Sequence, residues 1–111
     1  MAELRVFEFD FGDGAGPITV YGRRMNLRES KIIEEHKKVL VSFDGDGKKI
    51  QTLQNSSEWL THVFLTLAKD ATGMRMFMLP ADQDRVWTQF EPEAVYAAAV
   101  ELMGLEADPG N

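Results

Sequence analysis

Cysteine does not occur among the 111 residues of this chain. Its absence excludes disulfide bonds, thiolate nucleophiles and metal sites built from cysteine, and it is compatible with a reducing compartment. Long apolar runs are also missing, because no stretch approaches the roughly 20 apolar residues that a membrane-spanning helix needs. The first residues lack the basic-then-apolar profile of a secretory signal. We therefore expect no membrane segment, and a protein that stays in the cytosol in which it is made.

Basic residues are scarce, with 12 lysines and arginines against 18 aspartates and glutamates and a net charge of −6. This is the wrong sign for binding phosphate backbones, so nucleic acid is not expected as a direct partner. The charge is also uneven: residues 23–49 carry eight basic and five acidic side chains (net +3), and residues 82–111 carry one basic and seven acidic (net −6). Such an asymmetry would steer head-to-tail self-association or docking of a basic helix. Ordinary solvated faces are the alternative interpretation.

The chain length and an apolar fraction of 44% predict one soluble domain. The start of the chain has the aromatic and β-branched content of strands, from Leu4 to Phe11 and again from Ile18 to Gly22. Glycines and a proline separate these two segments. The sequence therefore predicts an antiparallel hairpin over residues 4–22.

A first helix is predicted over about residues 27–38, because Asn26 can cap its start and Glu29 stands three residues later to complete a capping box. The end of this helix is ambiguous. The apolar face of a helix continues further along the chain, but β-branched runs on either side of a strong turn equally predict a second hairpin over residues 39–53. Both interpretations stay open, with a slight preference for a helix that ends near Lys38 and is followed by the hairpin.

Three further helices are predicted from apolar stripes that recur at three- and four-residue spacing. Their predicted ranges are about residues 57–69, 82–90 and 92–103. Asp82 can cap the second of them, and Gly104 can supply a left-handed stop to the last. Residues 106–111 are predicted to form a flexible tail. The fold class that follows is α+β, a single domain over residues 1–105 in which an N-terminal antiparallel β-hairpin precedes a small bundle of three to four helices.

Motifs of catalysis and ligand binding are not recognisable in the sequence. The glycine loop at residues 12–17 joins strand to strand rather than opening a helix, so it does not match a phosphate-binding loop. The Asp44-Gly-Asp-Gly turn lacks the closing acidic ligand of a calcium loop. His36 and His62 lie on different predicted elements and have no partner at zinc-site spacing. We therefore expect no enzyme activity, no cofactor and no metal.

Methionine provides the main functional hint, because Met74, Met76 and Met78 alternate beside Phe77. Thioether side chains adapt to irregular partners and are common on promiscuous binding surfaces. The alternative is that these methionines fill a small core, and the two tryptophans present the same choice. The predicted partner-binding residues are Trp59, Val63, Phe64, Met74, Met76, Phe77, Met78 and Trp87.

Several segments of the chain together carry a resemblance to a known family. They are Ile18-Thr-Val-Tyr with a leucine-led helix at residues 27–36, an apolar helix at 60–68, an acidic, glycine-containing and then apolar link at 70–77, and Pro92-Glu-Ala-Val with Glu101-Leu-Met-Gly-Leu. In this order they resemble the tail assembly chaperones of long-tailed (siphovirus-type) bacteriophages, the group that includes the lambda-type minor tail protein G.

The resemblance implies a non-catalytic assembly factor in the host cytoplasm of an infected or lysogenic bacterium. Members of this family bind and solubilise the long, aggregation-prone tape measure protein and help to recruit tail tube protein, so these two proteins are the implied partners. An acidic, methionine-bearing domain is compatible with transient binding of apolar helix faces. Two other hypotheses stay open: a small acidic phage inhibitor of a nucleic-acid enzyme, which the acidic C-terminal third favours, and a structural tail completion protein.

Overall fold

A computed structural model describes residues 3–105 of the chain. Within that range it contains two β-hairpins and four helices, so the predicted α+β class with an N-terminal antiparallel hairpin is confirmed. The predicted tail at residues 106–111 lies outside the described residues. The elements in chain order are β1 (Arg5–Phe9), β2 (Ile18–Gly22), α1 (Leu27–Glu35), β3 (Val39–Phe43), β4 (Lys49–Leu53), α2 (Ser56–Leu67), α3 (Pro80–Gln89) and α4 (Pro92–Met103).

The N-terminal hairpin is attached to the helices by a row of aromatic rings. β1 and β2 pair antiparallel, with Phe9 opposite Ile18. Because alternate side chains in a strand share a face, Phe7 lies beside Phe9, and their ring centroids are 5.6 Å apart. Phe11, just beyond the strand, is fully buried and stacks on Phe90 at 4.4 Å. The aromatic row therefore connects the hairpin directly to the end of α3.

The capping box predicted at the start of α1 is present. The side-chain oxygen of Asn26 accepts a hydrogen bond from the Glu29 backbone N–H at 2.9 Å, and the Glu29 carboxylate accepts one from the Asn26 N–H at 3.1 Å. These reciprocal bonds satisfy two donors that would otherwise lack partners at the helix start. The helix ends at Glu35, three residues before the predicted end.

Residues 39–53 form a second hairpin rather than a continuation of α1. Asn55 closes the base of this hairpin: its side-chain amide donates to the His36 carbonyl at 2.8 Å, and its side-chain oxygen accepts from the Lys38 N–H at 2.9 Å. Within the turn, the Asp44 carboxylate accepts two backbone N–H bonds. Side chains that bond the backbone in this way favour turns over helix. The α1 helix therefore cannot continue into the strand.

The later helices match their predicted ranges to within two residues, with errors at their ends. α2 and α3 each begin and end one or two residues earlier than predicted. α3 starts at Pro80, whose fixed φ suits the first helical position, so Asp82 lies inside the first turn and is not the cap. α4 spans the predicted range, but Gly104 has a φ of −72° and does not form a left-handed stop, because its N–H still bonds the Val100 carbonyl in a right-handed turn.

The core lies where α2 and α4 pack together and meet the N-terminal hairpin. Phe64 is fully buried, with its ring centroid 5.1 Å from that of Phe11 and 5.4 Å from that of Phe77. On α4, Ala98 and Ala99 are also fully buried, and their small side chains allow the two helices to approach closely. Burial of this aromatic and aliphatic surface is the main favourable term in folding.

A buried ion pair joins α1 to the segment that follows α2. Lys69 is only 3% exposed, and its ammonium contacts the buried carboxylate of Glu29. The same ammonium donates to the backbone carbonyls of Thr66 at 3.2 Å and Leu67 at 3.3 Å. The Lys69 backbone also exchanges two 2.8 Å hydrogen bonds with Tyr21 of β2. α2 therefore stops before Lys69, since the backbone there pairs with a strand instead of continuing the helix.

The hairpin formed by β3 and β4 stands away from the rest of the domain. Nine of its ten strand residues are exposed, and only Leu53 is half-buried. The molecule measures 50 × 38 × 22 Å and has a radius of gyration of 15.8 Å. A compact domain of this length would have a radius of gyration of about 13 Å. The projecting hairpin makes the molecule more extended than its chain length requires.

Candidate protein-interaction surfaces

Three of the predicted partner-binding residues belong to the core. Val63 and Phe64 are fully buried and Phe77 is 5% exposed. Val63 and Phe64 lie on the inward face of α2, and Phe77 belongs to the aromatic cluster against which that face packs. The rest of the chain already covers these three side chains, so in this fold they pack the core and present no surface to a partner.

Trp59 and Met76 are half-buried and pack against the core. The indole N–H of Trp59 donates to the Ile33 carbonyl at 3.0 Å, and the Lys37 ammonium lies 4.8 Å from the centroid of its ring. Trp59 also lines a recess of about 220 Å³ together with Val39 at the base of the second hairpin. Trp59 therefore supports that hairpin and leaves part of its ring accessible beside it.

Met74, Met78 and Trp87 are the predicted residues that lie at the surface, with exposed fractions of 66%, 56% and 46%. The two methionines belong to the connector between α2 and α3, and Leu79 extends this exposed apolar segment. Trp87 projects from α3 and meets His62 edge to face, with ring centroids 5.4 Å apart. The sequence-predicted set is thus divided between the core and the surface.

A group of five exposed apolar side chains lies on the second hairpin and is absent from the predicted set. We call it the hairpin surface, and it consists of Val39, Leu40, Val41, Phe43 and Ile50. The strand register places Val39, Val41 and Phe43 on one face, and Leu40 and Ile50 on the opposite face. Both faces of a free-standing hairpin are therefore apolar and open to solvent.

A sequence signal for the hairpin surface exists. The run Val39-Leu-Val-Ser-Phe43 is almost continuously apolar, whereas a strand with one wet face alternates apolar and polar residues. Continuous apolar strands are normally covered on both faces. This strand has no such cover within residues 3–105, and a two-stranded hairpin is at best marginally stable alone. Both its faces and its free edges are suited to contact with another chain.

A second surface feature is a cavity of about 400 Å³ between α2, α3 and α4. We call it the aromatic pocket, because Trp87, Phe90 and Tyr96 contribute rings to its wall. Polar groups come from one side of α2, from Ser57, Glu58, Thr61 and His62. The volume falls within the range of about 300–1,000 Å³ that is usual for ligand sites. An apolar or aromatic side chain of another molecule would fit it.

His36 and His62 stack beside the aromatic pocket. Their rings are parallel to within 2°, with centroids 3.8 Å apart, and a carboxylate oxygen of Glu58 lies 4.0 Å from His62 Nε2. Burial, together with the charge on His36, lowers the pKa of His62 below its ordinary value of 6.5, and Glu58 opposes this shift. A neutral, stacked imidazole is therefore the form that the fold stabilises at this position.

The lowered pKa of His62 predicts that the free energy of unfolding decreases as the pH falls below about 6.5. Above the unfolded pKa of 6.5 both states are neutral at His62, and below it the unfolded chain binds a proton that the folded chain binds less readily. Denaturant unfolding at several pH values should show a smaller decrease in His62→Phe, which keeps a ring but cannot titrate. Asp13 and Asp70 have pKa values below the ordinary value of 3.8. The stability that their charged forms contribute is therefore lost only below about pH 4, outside the range in which His62 titrates. An equal decrease in both proteins would contradict the assignment to His62.

Comparison of the chain with protein-family models, with curated proteins and with solved structures found no match. None of the helices within residues 3–105 is long and apolar enough to cross a membrane. The same residues contain no group of three or more histidine and acidic side chains arranged to hold a metal ion. Function must therefore be inferred from the exposed surfaces themselves.

Proposed function

We propose that the protein is a non-catalytic assembly chaperone that binds apolar segments of another protein. The observation that carries this proposal is the hairpin surface, which exposes apolar side chains on both faces of an isolated two-stranded hairpin. Exposed apolar surfaces of this kind mark sites of protein contact. The resemblance to tail assembly chaperones supplies the partner: the tape measure protein of a long-tailed bacteriophage, which the chain binds and solubilises in the host cytoplasm while it helps to recruit tail tube subunits.

The energetics of the hairpin surface favour binding over solvation. Full burial of one large aliphatic or aromatic side chain contributes about 1.5–3 kcal/mol. The five side chains are each between 42% and 68% exposed, so a partner can still remove a large part of their area from water. The free strand edges add backbone donors and acceptors that an extended segment can pair with. An apolar segment of either helical or extended form would therefore find complementary surface.

The remaining surface suits a chaperone that keeps its partner dissolved. A net charge of −6 promotes solubility and opposes non-specific association. Met74 and Met78 add flexible, polarisable side chains that adapt to different partner shapes. Strong charge with a limited apolar contact area is suited to transient protection of a partner rather than to a permanent complex.

Co-expression with a segment of the tape measure protein from the same phage tests this proposal. We expect the wild-type chain to bring the segment into the soluble fraction and to co-purify with it. The double variant Val41→Asp/Phe43→Asp should lose most of this effect, because charges on the apolar face oppose its burial. Leu27→Asp is the matched control, since Leu27 is 90% exposed at the first residue of α1, whereas the hairpin follows the other end of that helix.

Two outcomes would count against the proposal in different ways. If the wild-type chain leaves the segment insoluble, the chaperone function is wrong. If the hairpin double variant solubilises the segment as well as wild type does, the function stands but the hairpin surface is not the binding site. Circular dichroism of the purified variants separates a lost surface from a lost fold.

A further inference from the structure

We propose that the aromatic pocket is a binding site for a guanidinium group, carried by a small organic cation or by an arginine side chain. The pocket lies between α2, α3 and α4, and its wall combines three aromatic rings with one carboxylate. None of the residues that line it belongs to the hairpin surface, so the site does not depend on the proposed chaperone function.

Glu58 gives the pocket a negative charge. Within residues 3–105, the lining of the pocket contains no lysine or arginine, and Glu58 is its only acidic residue. His62 does not cancel this charge near neutral pH, because burial and the charge on His36 keep its pKa below 6.5. The segment of residues 80–103 carries five acidic residues and one arginine, a net charge of −4, and that arginine is already paired with Asp13. The pocket therefore favours a cation among the molecules that would fit it.

The Glu58 carboxylate is available to a ligand. Its side chain is 51% exposed, and the distance of 4.0 Å between its oxygen and His62 Nε2 is too long for a hydrogen bond. The hydroxyl of Thr61, which lines the same pocket, already donates to the Ser57 carbonyl. The two carboxylate oxygens can therefore accept the pair of parallel N–H bonds that a guanidinium donates.

Two accessible rings provide the other half of the recognition. Trp87 is 46% exposed and Tyr96 is half-buried, whereas Phe90 is buried and already packs against the core. The face of an aromatic ring carries partial negative charge and attracts a cation within about 6 Å, and tryptophan does so most strongly. The buried side chains of Val86 and Val95 supply apolar surface for the methylene stem that carries the cation.

A planar cation suits this arrangement better than an ammonium ion. A guanidinium stacks on an aromatic ring and binds a carboxylate through two parallel hydrogen bonds, whereas an ammonium is a compact point charge. Guanidinium is also more weakly hydrated, so its transfer into a partly apolar cavity costs less free energy. The cavity of about 400 Å³ has space for the group and its stem. The same contacts form whether the guanidinium belongs to a free small molecule or to an arginine of another polypeptide.

NMR titration of the isotope-labelled chain tests the proposal. The probes are the N-acetyl amides of arginine, of lysine and of citrulline, which replaces the guanidinium with a neutral urea of nearly the same shape. We expect the arginine probe to shift the signals of Trp87 and Tyr96 and to saturate with a Kd on the order of 1 mM, as suits a ligand of this size. The citrulline probe should bind at least about tenfold more weakly because it has no charge, and the lysine probe should bind several-fold more weakly.

Matched variants assign the binding to the pocket. Glu58→Gln should weaken binding of the arginine probe about tenfold, and Trp87→Leu should weaken it several-fold. Glu101→Gln removes the same charge from an exposed position on α4 that does not line the pocket, so it should bind like wild type. The amide spectra show whether each variant is folded. Glu58→Gln keeps the test decisive if Trp87→Leu does not fold, because the Glu58 side chain is half exposed and its replacement leaves the core intact.

A blocked tripeptide with arginine at its centre distinguishes the two sources of the group. Binding more than about tenfold tighter than that of the arginine probe identifies an arginine of a polypeptide as the ligand, and binding within about tenfold identifies a small cation. Equal binding of the arginine and citrulline probes would overturn the proposal. So would an arginine probe that leaves the Trp87 signals unshifted, or full binding by Glu58→Gln. Failure of the chain to solubilise the tape measure segment would leave these results unchanged, because the pocket and the hairpin surface share no residue.

Discussion

Replacing Lys69 by methionine is expected to lower the free energy of unfolding by about 3 kcal/mol. Methionine keeps the apolar stem of the side chain but removes the ammonium that contacts Glu29. Glu29 is only 7% exposed, so the substitution would leave a buried charge with little compensation. Removing one partner of a buried ion pair lowers stability far more than replacing both partners with apolar residues does. The effect would be a large share of the stability of a domain of this size, which is about 5–15 kcal/mol.

Urea unfolding of a set of variants tests this expectation. Glu29→Gln combined with Lys69→Met should recover much of the lost stability, because both charges are then absent and glutamine can still complete the capping box with Asn26. Lys37→Met is the matched control: its pair with Glu34 is solvent-accessible, with side chains 30% and 63% exposed, and such pairs contribute at most about 1 kcal/mol. Its contact with the Trp59 ring adds at most about 1 kcal/mol more, so the total stays below the loss expected for Lys69→Met. A double variant as unstable as the sum of its single variants would show that the two charges are not coupled.

Truncating Phe64 to alanine is expected to lower the free energy of unfolding by about 3–5 kcal/mol, whereas Met78→Ala should change it by less than about 0.5 kcal/mol. Phe64 is fully buried and its ring contacts those of Phe11, Phe77 and Phe90, so truncation leaves a cavity that these rings cannot fill. Met78 is 56% exposed, and truncation leaves no cavity in the core.

Phe64 and Met78 were both predicted from the sequence as partner-binding residues, and this comparison shows which of them belongs to the core. Equilibrium unfolding measures both variants, and co-purification with the tape measure segment measures binding. Met78→Ala should keep its stability regardless of what it does to binding. A mild effect of Phe64→Ala would contradict the placement of this ring at the centre of the core.

Features of the fold that depend on neighbouring residues were predictable from sequence. The capping box of Asn26 and Glu29 and the proline at the start of α4 act over three or four positions, and both are present. The end of α1 was not predictable in this way. It is fixed by the Asn55 side chain, which bonds the His36 carbonyl from 19 residues further along the chain. Lys69 likewise leaves the helical pattern because its backbone pairs with Tyr21, far from it in sequence.

The candidate site was harder to predict because periodicity identifies an apolar face but not what covers it. Val63 and Phe64 lie on the stripe of α2, and in a folded domain such a stripe is covered by the chain itself. The sequence signal for the hairpin surface was a strand in which apolar and polar residues do not alternate. This signal could be interpreted only if residues 39–53 were known to form a hairpin and not a helix. The stacked pair of His36 and His62 could not be foreseen, since their predicted elements had no assigned contact.

Hydrogen exchange of the chain with and without its tape measure segment tests most directly whether the hairpin surface binds a partner. Alone, the backbone amides of β3 and β4 should exchange quickly, because the hairpin is isolated and exposed. We predict that the segment slows exchange across residues 39–53 more than across α2 or α4. Formation of a stable complex without added protection of these amides would contradict the role assigned to the hairpin surface.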